Sequence, residues 1–130
     1  MPFRLAHSSK PLILFDAYID ELGPFNFALD TGASTTAVSP SLASRLKVHL
    51  TAIPDVTGGG GSIKASSARV RSLRVGSNTA YEVDIAVTGA LDVVSTALGQ
   101  KLDGILGYNF LRLYRVLIDF PNATLHLRPS

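Results

Sequence analysis

Apolar and polar positions alternate along most of this chain. From Leu12 to Asp20 the residues run Leu-Ile-Leu-Phe-Asp-Ala-Tyr-Ile-Asp, rich in strand formers. Glu21-Leu22-Gly23-Pro24 signals a turn. Phe25, Phe27 and Leu29 then alternate with Asn26, Ala28 and Asp30, which predicts a strand with one buried face. Tyr81, Val83, Ile85 and Val87 alternate with Glu82, Asp84, Ala86 and Thr88 in the same way, as do Tyr114, Val116, Ile118 and Phe120 with Arg115, Leu117 and Asp119. Pro121-Asn122-Ala123 marks a turn, and Leu125 and Leu127 give a last strand its apolar face. The two final strands read as a closing hairpin. Helix is scarce. Ser39 and Pro40 suit the N-cap and first position of a short helix reaching about Leu46. A second short helix is expected from about Tyr108 to Leu113. Many short strands with one or two short helices predict an all-β barrel or sandwich.

Composition narrows the function classes. The chain has 130 residues, 46% of them hydrophobic, and no cysteine. One domain over residues 1–130 is expected, burying about two thirds of its unfolded surface. Such a core needs no disulfide or metal staple. Without cysteine there is no thiolate catalysis, iron–sulfur cluster or zinc knuckle. His7, His49 and His126 lack metal-ligand spacing, so no metal and no cofactor is expected. The formal charge is only +2, and the densest basic group, Arg69, Arg71 and Arg74, reads as a solvated strand face, so no nucleic-acid partner is expected. No apolar run nears the roughly 20 residues that span a bilayer, so no membrane insertion of this chain is expected. The opening Met-Pro-Phe-Arg-Leu-Ala-His-Ser-Ser-Lys holds no hydrophobic signal core. The compartment is not fixed by these features.

Gly58-Gly59-Gly60-Gly61-Ser62 is the one low-complexity stretch. It spells a common linker, but strand-like sequence follows from Ile63 to Val75. Two halves of about 60 residues would also make small domains. The tip of a hairpin within one domain is the better reading. No Gly-Lys-Ser/Thr ending follows, so it is not a phosphate-binding loop.

The chemistry is concentrated in Phe27-Ala28-Leu29-Asp30-Thr31-Gly32-Ala33-Ser34-Thr35. A strand runs into an acid, a hydroxyl residue and a glycine. An acid at a strand end can be held in a cleft on a rigid support. Taken alone, Asp-Thr-Gly is also ordinary turn chemistry. Ser34 stands in no Gly-x-Ser-x-Gly elbow, and the motifs of an aspartyl-phosphate enzyme are missing.

Several features in order resemble the retropepsin-like aspartic proteases, the single-domain relatives of the retroviral enzymes, and most of all the bacterial members. They span about Leu12 to Leu127: the Asp-Thr-Gly-Ala segment, a glycine-rich stretch some 30 residues later, Asp103-Gly104-Ile105-Leu106-Gly107-Tyr108-Asn109-Phe110-Leu111, and the closing pair Val116-Leu117-Ile118-Asp119-Phe120 and Thr124-Leu125-His126-Leu127. The resemblance implies a closed, mostly antiparallel β-barrel with a flap hairpin. It makes Asp30 the catalytic aspartate. Thr31 becomes the hydroxyl that braces two active-site loops, and Gly32 leaves room for the partner loop. Gly58, Gly59, Gly60, Gly61, Ser62 and Ile63 fall where the family has its substrate-covering flap. Ala33, Ser34, Ile105, Leu106 and Gly107 match structural support of the site.

The mechanism of such enzymes needs two carboxylates sharing one proton. The chain carries one Asp-Thr-Gly and is too short for two lobes. A catalytic site therefore implies a homodimer that supplies Asp30 twice across a two-fold axis. Asp103 and Asp119 lack the Thr-Gly context and read as structural or solvated. Asn122-Ala123-Thr124 fits a glycosylation sequon, but a hairpin turn explains it fully. Alanine at position 33, where two-lobed relatives usually carry serine, implies a less acidic working range. The expected activity is aspartic endopeptidase action on polypeptides. The alternatives are a non-catalytic peptide-binding or dimerisation module on the same fold, or one half of a tandem-domain protease.

Overall fold

The computed structural model describes the backbone of residues 1–7, 10–58 and 61–130, and the side chains of residues 1–6, 12–51 and 65–130. In chain order the elements are β1 (Arg4–His7), β2 (Lys10–Ile19), β3 (Leu22–Leu29), β4 (Thr36–Val38), α1 (Pro40–Arg45), β5 (Thr51–Gly58), β6 (Gly61–Val75), β7 (Asn78–Thr88), α2 (Ala90–Leu98), β8 (Gly104–Leu106), α3 (Tyr108–Leu111), β9 (Tyr114–Asp119) and β10 (Thr124–Pro129). One sheet has the order β1-β2-β3-β8-β4-β7-β6-β5, and β2 also pairs with β6. That extra pairing closes β2, β3, β8, β4, β7 and β6 into a barrel and leaves β1 and β5 as outer strands. The pairs are antiparallel except β3–β8 and β4–β7. Of the barrel or sandwich that the alternation left open, the fold is a closed, mostly antiparallel all-β barrel, the form that the resemblance implied.

Phe15, Phe25, Phe27 and Phe110 are fully buried in its core. Phe25, Phe27 and Leu29 point inward as the period-two pattern requires. Ala28, on the opposite parity, is buried too. It belongs to a second cluster with Leu14, Leu91 and Leu102, formed where α2 lies on the outside of the barrel. This helix is additional to the two expected. Val93, Val94 and Thr96 weaken its propensity. Burial of Leu91, worth about 2 kcal/mol, offsets that. The other two helices lie where the sequence puts them. Ser39 caps α1, its hydroxyl accepting from the Leu42 N–H at 3.1 Å, with Pro40 in the first position.

Three expectations need correction. The turn between β2 and β3 is Asp20-Glu21, not Glu21 to Pro24: Ile19 pairs with Leu22, and both loop residues have positive φ. A two-residue hairpin loop of this hand follows the strand twist. Asp20 is held there because its Oδ1 accepts from the N–H groups of Arg71 and Ser72, at 2.8 and 3.0 Å.

The second correction concerns Tyr81, which is 74% exposed while Val83, Ile85 and Val87 are buried. Burial changes parity between Ala80 and Val83 on β7, and at the same level between Val70 and Leu73 on β6. The register is kept across the step, with Val70 opposite Val83 and Leu73 opposite Ala80. Glu82 adopts φ +52° at this step, and Asp20 binds the facing backbone. Strict alternation cannot continue through such a kink.

The third correction concerns the last hairpin. Only Tyr114 and Ile118 of the expected inward face pack partly on the core, whereas Val116 and Phe120 are exposed. β9 and β10 form a separate two-stranded ribbon, which has too few neighbours to bury a whole face. Its β10 edge is covered by the N-terminus, through a Pro2–Thr124 bridge and hydrogen bonds linking Met1 with Leu125.

Candidate active site

The site forms where β3 and β4 part. β8 is inserted between them, in register Phe27–Gly104, Ala28–Ile105 and Leu29–Leu106 with β3, and Ala37–Ile105 with β4. Residues 30–35 therefore arch over the end of β8. The Asp30 N–H donates to the Leu106 carbonyl at 3.2 Å, which ties the first loop residue to the last residue of β8. Asp30 is half-buried, and its Oδ1 accepts from the Gly32 N–H at 2.9 Å. That bond orients the carboxylate along its own loop. The Ala33 N–H closes the turn on the Asp30 carbonyl at 3.2 Å. Thr31 and Gly32 are exposed, and the Thr31 hydroxyl has no hydrogen-bond partner among the described residues.

The far side of the loop is pinned to α3. The N–H groups of Tyr108 and Asn109 donate to the carbonyls of Ala33 and Ser34, at 2.8 and 3.1 Å. Gly107 permits this approach: a Cβ there would lie 2.5 Å from the Thr35 carbonyl carbon. Thr36 and Asn109 complete the clamp. The Thr36 N–H and hydroxyl both donate to Asn109 Oδ1 at 2.8 Å, and the Thr36 oxygen accepts from the Gly107 N–H at 3.1 Å. Asn109 Nδ2 in turn donates to the Asp84 carbonyl on β7 at 2.8 Å. Sequence reasoning missed both residues as site positions. The one available signal was Thr36 itself, a hydroxyl residue in an apolar strand, and it is fully buried.

The other expected site residues separate into two groups. Ala33, Ser34, Leu106 and Gly107 meet at the loop, while Ile105 packs against the outer cluster under α2. Gly58, Gly61, Ser62 and Ile63 lie on the β5–β6 hairpin, where Gly58 pairs with Gly61, Thr57 with Ser62 and Val56 with Ile63. Gly59 and Gly60 fall outside the described residues. Asp103 is structural: its Oδ2 accepts from the Asn26 N–H at 2.8 Å. Asp119 caps the β9–β10 turn, and hydrogen bonds from the Asn122 side chain and backbone hold its carboxyl below the usual range. Burial pushes the Tyr114 phenol up. Among the described residues no His, Asp and Glu cluster could hold a metal ion, and no helix is long and apolar enough to cross a membrane.

A closed barrel with an Asp-Thr-Gly loop clamped over an inserted strand defines the retropepsin-like class. Comparison bears this out. An aspartyl protease family profile matches residues 15–110, and the chain belongs to that family. A retropepsin-like aspartic protease from Rickettsia conorii superposes with a TM-score of 0.63 at 20% identity, covering 88% of this chain and 82% of that one. EIAV protease in complex with an inhibitor gives 0.57 at 22% identity, covering 76% and 84%. The retroviral protease-like domain of Ddi1 from Leishmania major gives 0.59 at 15% identity, covering 89% and 87%. Comparison with curated protein sequences finds no match.

Proposed function

We propose that the chain is an aspartic endopeptidase that acts as a homodimer. The observation that carries this is the Asp30 loop: a carboxylate oriented by the Gly32 N–H, on a loop fixed from both ends, beside an exposed Thr31 and Gly32. One carboxylate of this kind cannot run the reaction. Two of them, brought together across a two-fold axis, share one proton because like charges about 3 Å apart do not both ionise. The ionised carboxylate takes a proton from a bound water, whose oxygen attacks the scissile carbonyl carbon. The protonated one gives its proton to the carbonyl oxygen. The resulting diol collapses as the C–N bond breaks and the amine takes up a proton, and no covalent enzyme intermediate forms. In this reading the second Thr31 supplies the partner that the first lacks. The β5–β6 hairpin covers an extended substrate, whose backbone pairs as a strand would.

The surface beside the loop suits a second copy. Tyr108 and Leu113 are exposed, and so are Val116, Leu117 and Phe120 on the ribbon that follows α3. A run of exposed apolar residues next to a site that needs a partner is an interface candidate. No cofactor enters this mechanism.

The test is cleavage of a diverse peptide mixture by wild type and by Asp30→Asn, from about pH 3 to pH 7. Cleavage by wild type alone supports the proposal. Cleavage by neither, at concentrations where the chain is dimeric, replaces it with a binding or dimerisation module. A chain that stays monomeric and inactive points to one half of a tandem protease.

A further inference from the structure

A cavity of about 660 Å³ with a mixed polar and apolar lining opens at the end of the Asp30 loop. Thr35, five residues on from Asp30, lines it, as do Thr51 and Ser67, which pair at the base of the β5–β6 hairpin. His49 and Arg69 line this cavity and also a second one of about 370 Å³, so the two form one groove. The second cavity adds Arg45, Lys47 and Arg71, with Asp20 as its acidic residue.

The charges in this groove do not balance. Arg45, Lys47, Arg69 and Arg71 line it with two carboxylates, Asp84 and Asp20, and Glu82 lies close enough to act on Arg69, which still leaves one cation in excess. Asp84 is engaged with Arg69, its Oδ1 accepting from Nε at 2.8 Å. Asp20 Oδ1 is engaged with backbone N–H groups of Arg71 and Ser72. Glu21 shares a smaller neighbouring cavity with Arg71 but does not line the groove. Among the described residues, the side chains of Arg45, Lys47 and Arg71 have no ion pair, and Arg45 rests over the Phe25 ring at 5.1 Å. Arg74 is differently placed: it stacks on Tyr18 at 4.0 Å and donates to the Gly76 carbonyl. The basic trio of β6 is therefore divided, with two members turned to the groove.

We infer that this groove binds an acidic stretch of the polypeptide substrate, several residues from the scissile bond. Two observations select that occupant. The groove carries an excess of cations, which complements carboxylates. Its lining also includes Thr35, at the end of the Asp30 loop, and the Thr51–Ser67 pair at the hairpin base, the side toward which an extended chain leaving the loop would run. The inference rests on the protease reading for the identity of the peptide as substrate. The groove's preference for acidic peptide does not.

The first experiment measures binding without cleavage. Labelled octaglutamate and octaglutamine are titrated by fluorescence anisotropy against wild type and a Lys47→Ser, Arg71→Ser double variant, with thermal unfolding of both proteins as the fold control. Wild type is expected to bind octaglutamate at least about tenfold more tightly than octaglutamine, with the difference falling as salt is raised. The double variant, folded, is expected to lose that difference. Equal binding of the two peptides overturns the inference, as does octaglutamate binding unchanged in the folded double variant. Tighter binding of an oligothymidylate of equal charge also overturns it, in favour of nucleic acid. The second experiment compares cleavage sites. Enrichment of Asp and Glu flanking the wild-type sites, lost in the double variant, supports the substrate assignment, and cleavage without enrichment refutes it. A protein that binds octaglutamate and cleaves nothing keeps the groove and loses the protease reading, so the two failures are separable.

Discussion

Asn109 Oδ1 accepts two hydrogen bonds from Thr36, one from its N–H and one from its hydroxyl, each 2.8 Å long. The pair joins residues 73 apart in sequence and locks the strand after the Asp30 loop to α3. Because Thr36 is fully buried, water cannot replace the lost partner. Asn109→Ala should therefore destabilise the fold by about 2–4 kcal/mol. Thr36→Val keeps the shape and its own N–H bond but leaves the Gly107 N–H without its acceptor; it loses fewer bonds than Asn109→Ala and should cost less, about 1–3 kcal/mol. Urea unfolding of both variants checks the order. An Asn109→Ala midpoint equal to wild type would show that the clamp carries no load.

Gly107 tests the closeness of the same contact. A Cβ there meets the Thr35 carbonyl carbon at 2.5 Å and the Thr36 nitrogen at 2.8 Å, both of them backbone atoms that cannot turn aside. Gly107→Ala should cost about 2 kcal/mol or more. At Gly89 a Cβ would meet nothing within 4 Å, so Gly89→Ala should stay within about 1 kcal/mol of wild type. Thermal unfolding of the pair separates crowding at one site from a general intolerance of alanine.

Asp119 provides a pH prediction of known sign. Hydrogen bonds from Asn122 lower its carboxyl in the folded chain, while the unfolded chain has the ordinary value. The stabilisation is thus present above the unfolded value and is lost as pH falls through the folded one. Asn122→Ala should raise the Asp119 carboxyl toward its ordinary range. NMR titration of the side-chain carboxyl measures this directly, and an unchanged midpoint would mean that Asn122 does not set it.

Leu117 tests the proposed interface. It is 63% exposed on the ribbon, so Leu117→Asp should leave the single chain's stability within about 0.5 kcal/mol of wild type. If the ribbon carries the contact with a second copy, the same change should weaken self-association at least about tenfold. Sedimentation equilibrium over a range of concentrations reads this. Undiminished association would move the interface elsewhere.

Ala33 bears on the working pH. Alanine offers no hydroxyl to a neighbouring carboxylate, and a hydrogen bond to the charged form favours it. Activity is expected in a range less acidic than that of the two-lobed enzymes, and Ala33→Ser should move it toward lower pH. A pH–rate profile of both proteins checks the direction. A wild-type optimum at strongly acidic pH would refute the expectation.

The period-two runs, the Ser39-Pro40 helix start and the ordered motifs were legible because each depends on near neighbours in the chain. Phe25, Phe27 and Leu29 face inward because consecutive side chains on a strand must alternate. Asp30 stood out because an acid, a hydroxyl and a glycine meet at a strand end. Those local rules left a barrel or a sandwich; the resemblance of the ordered motifs implied the closed barrel and the role of Asp30, and counting Asp-Thr-Gly then implied a partner.

What tertiary structure alone decided depends on residues far apart. Tyr81 points outward because Asp20, on another hairpin, binds the backbone where β6 and β7 kink together. Ala28 is buried because α2 returns Leu91 to the outside of the barrel. Thr36 and Asn109 become partners only when β8 enters between β3 and β4. Arg69 and Arg71 become a groove with Arg45 and Lys47 only when α1 and β6 are brought together. A local pattern fixes which way a side chain points from its own strand. It carries no information about which distant backbone will fill the space it points into.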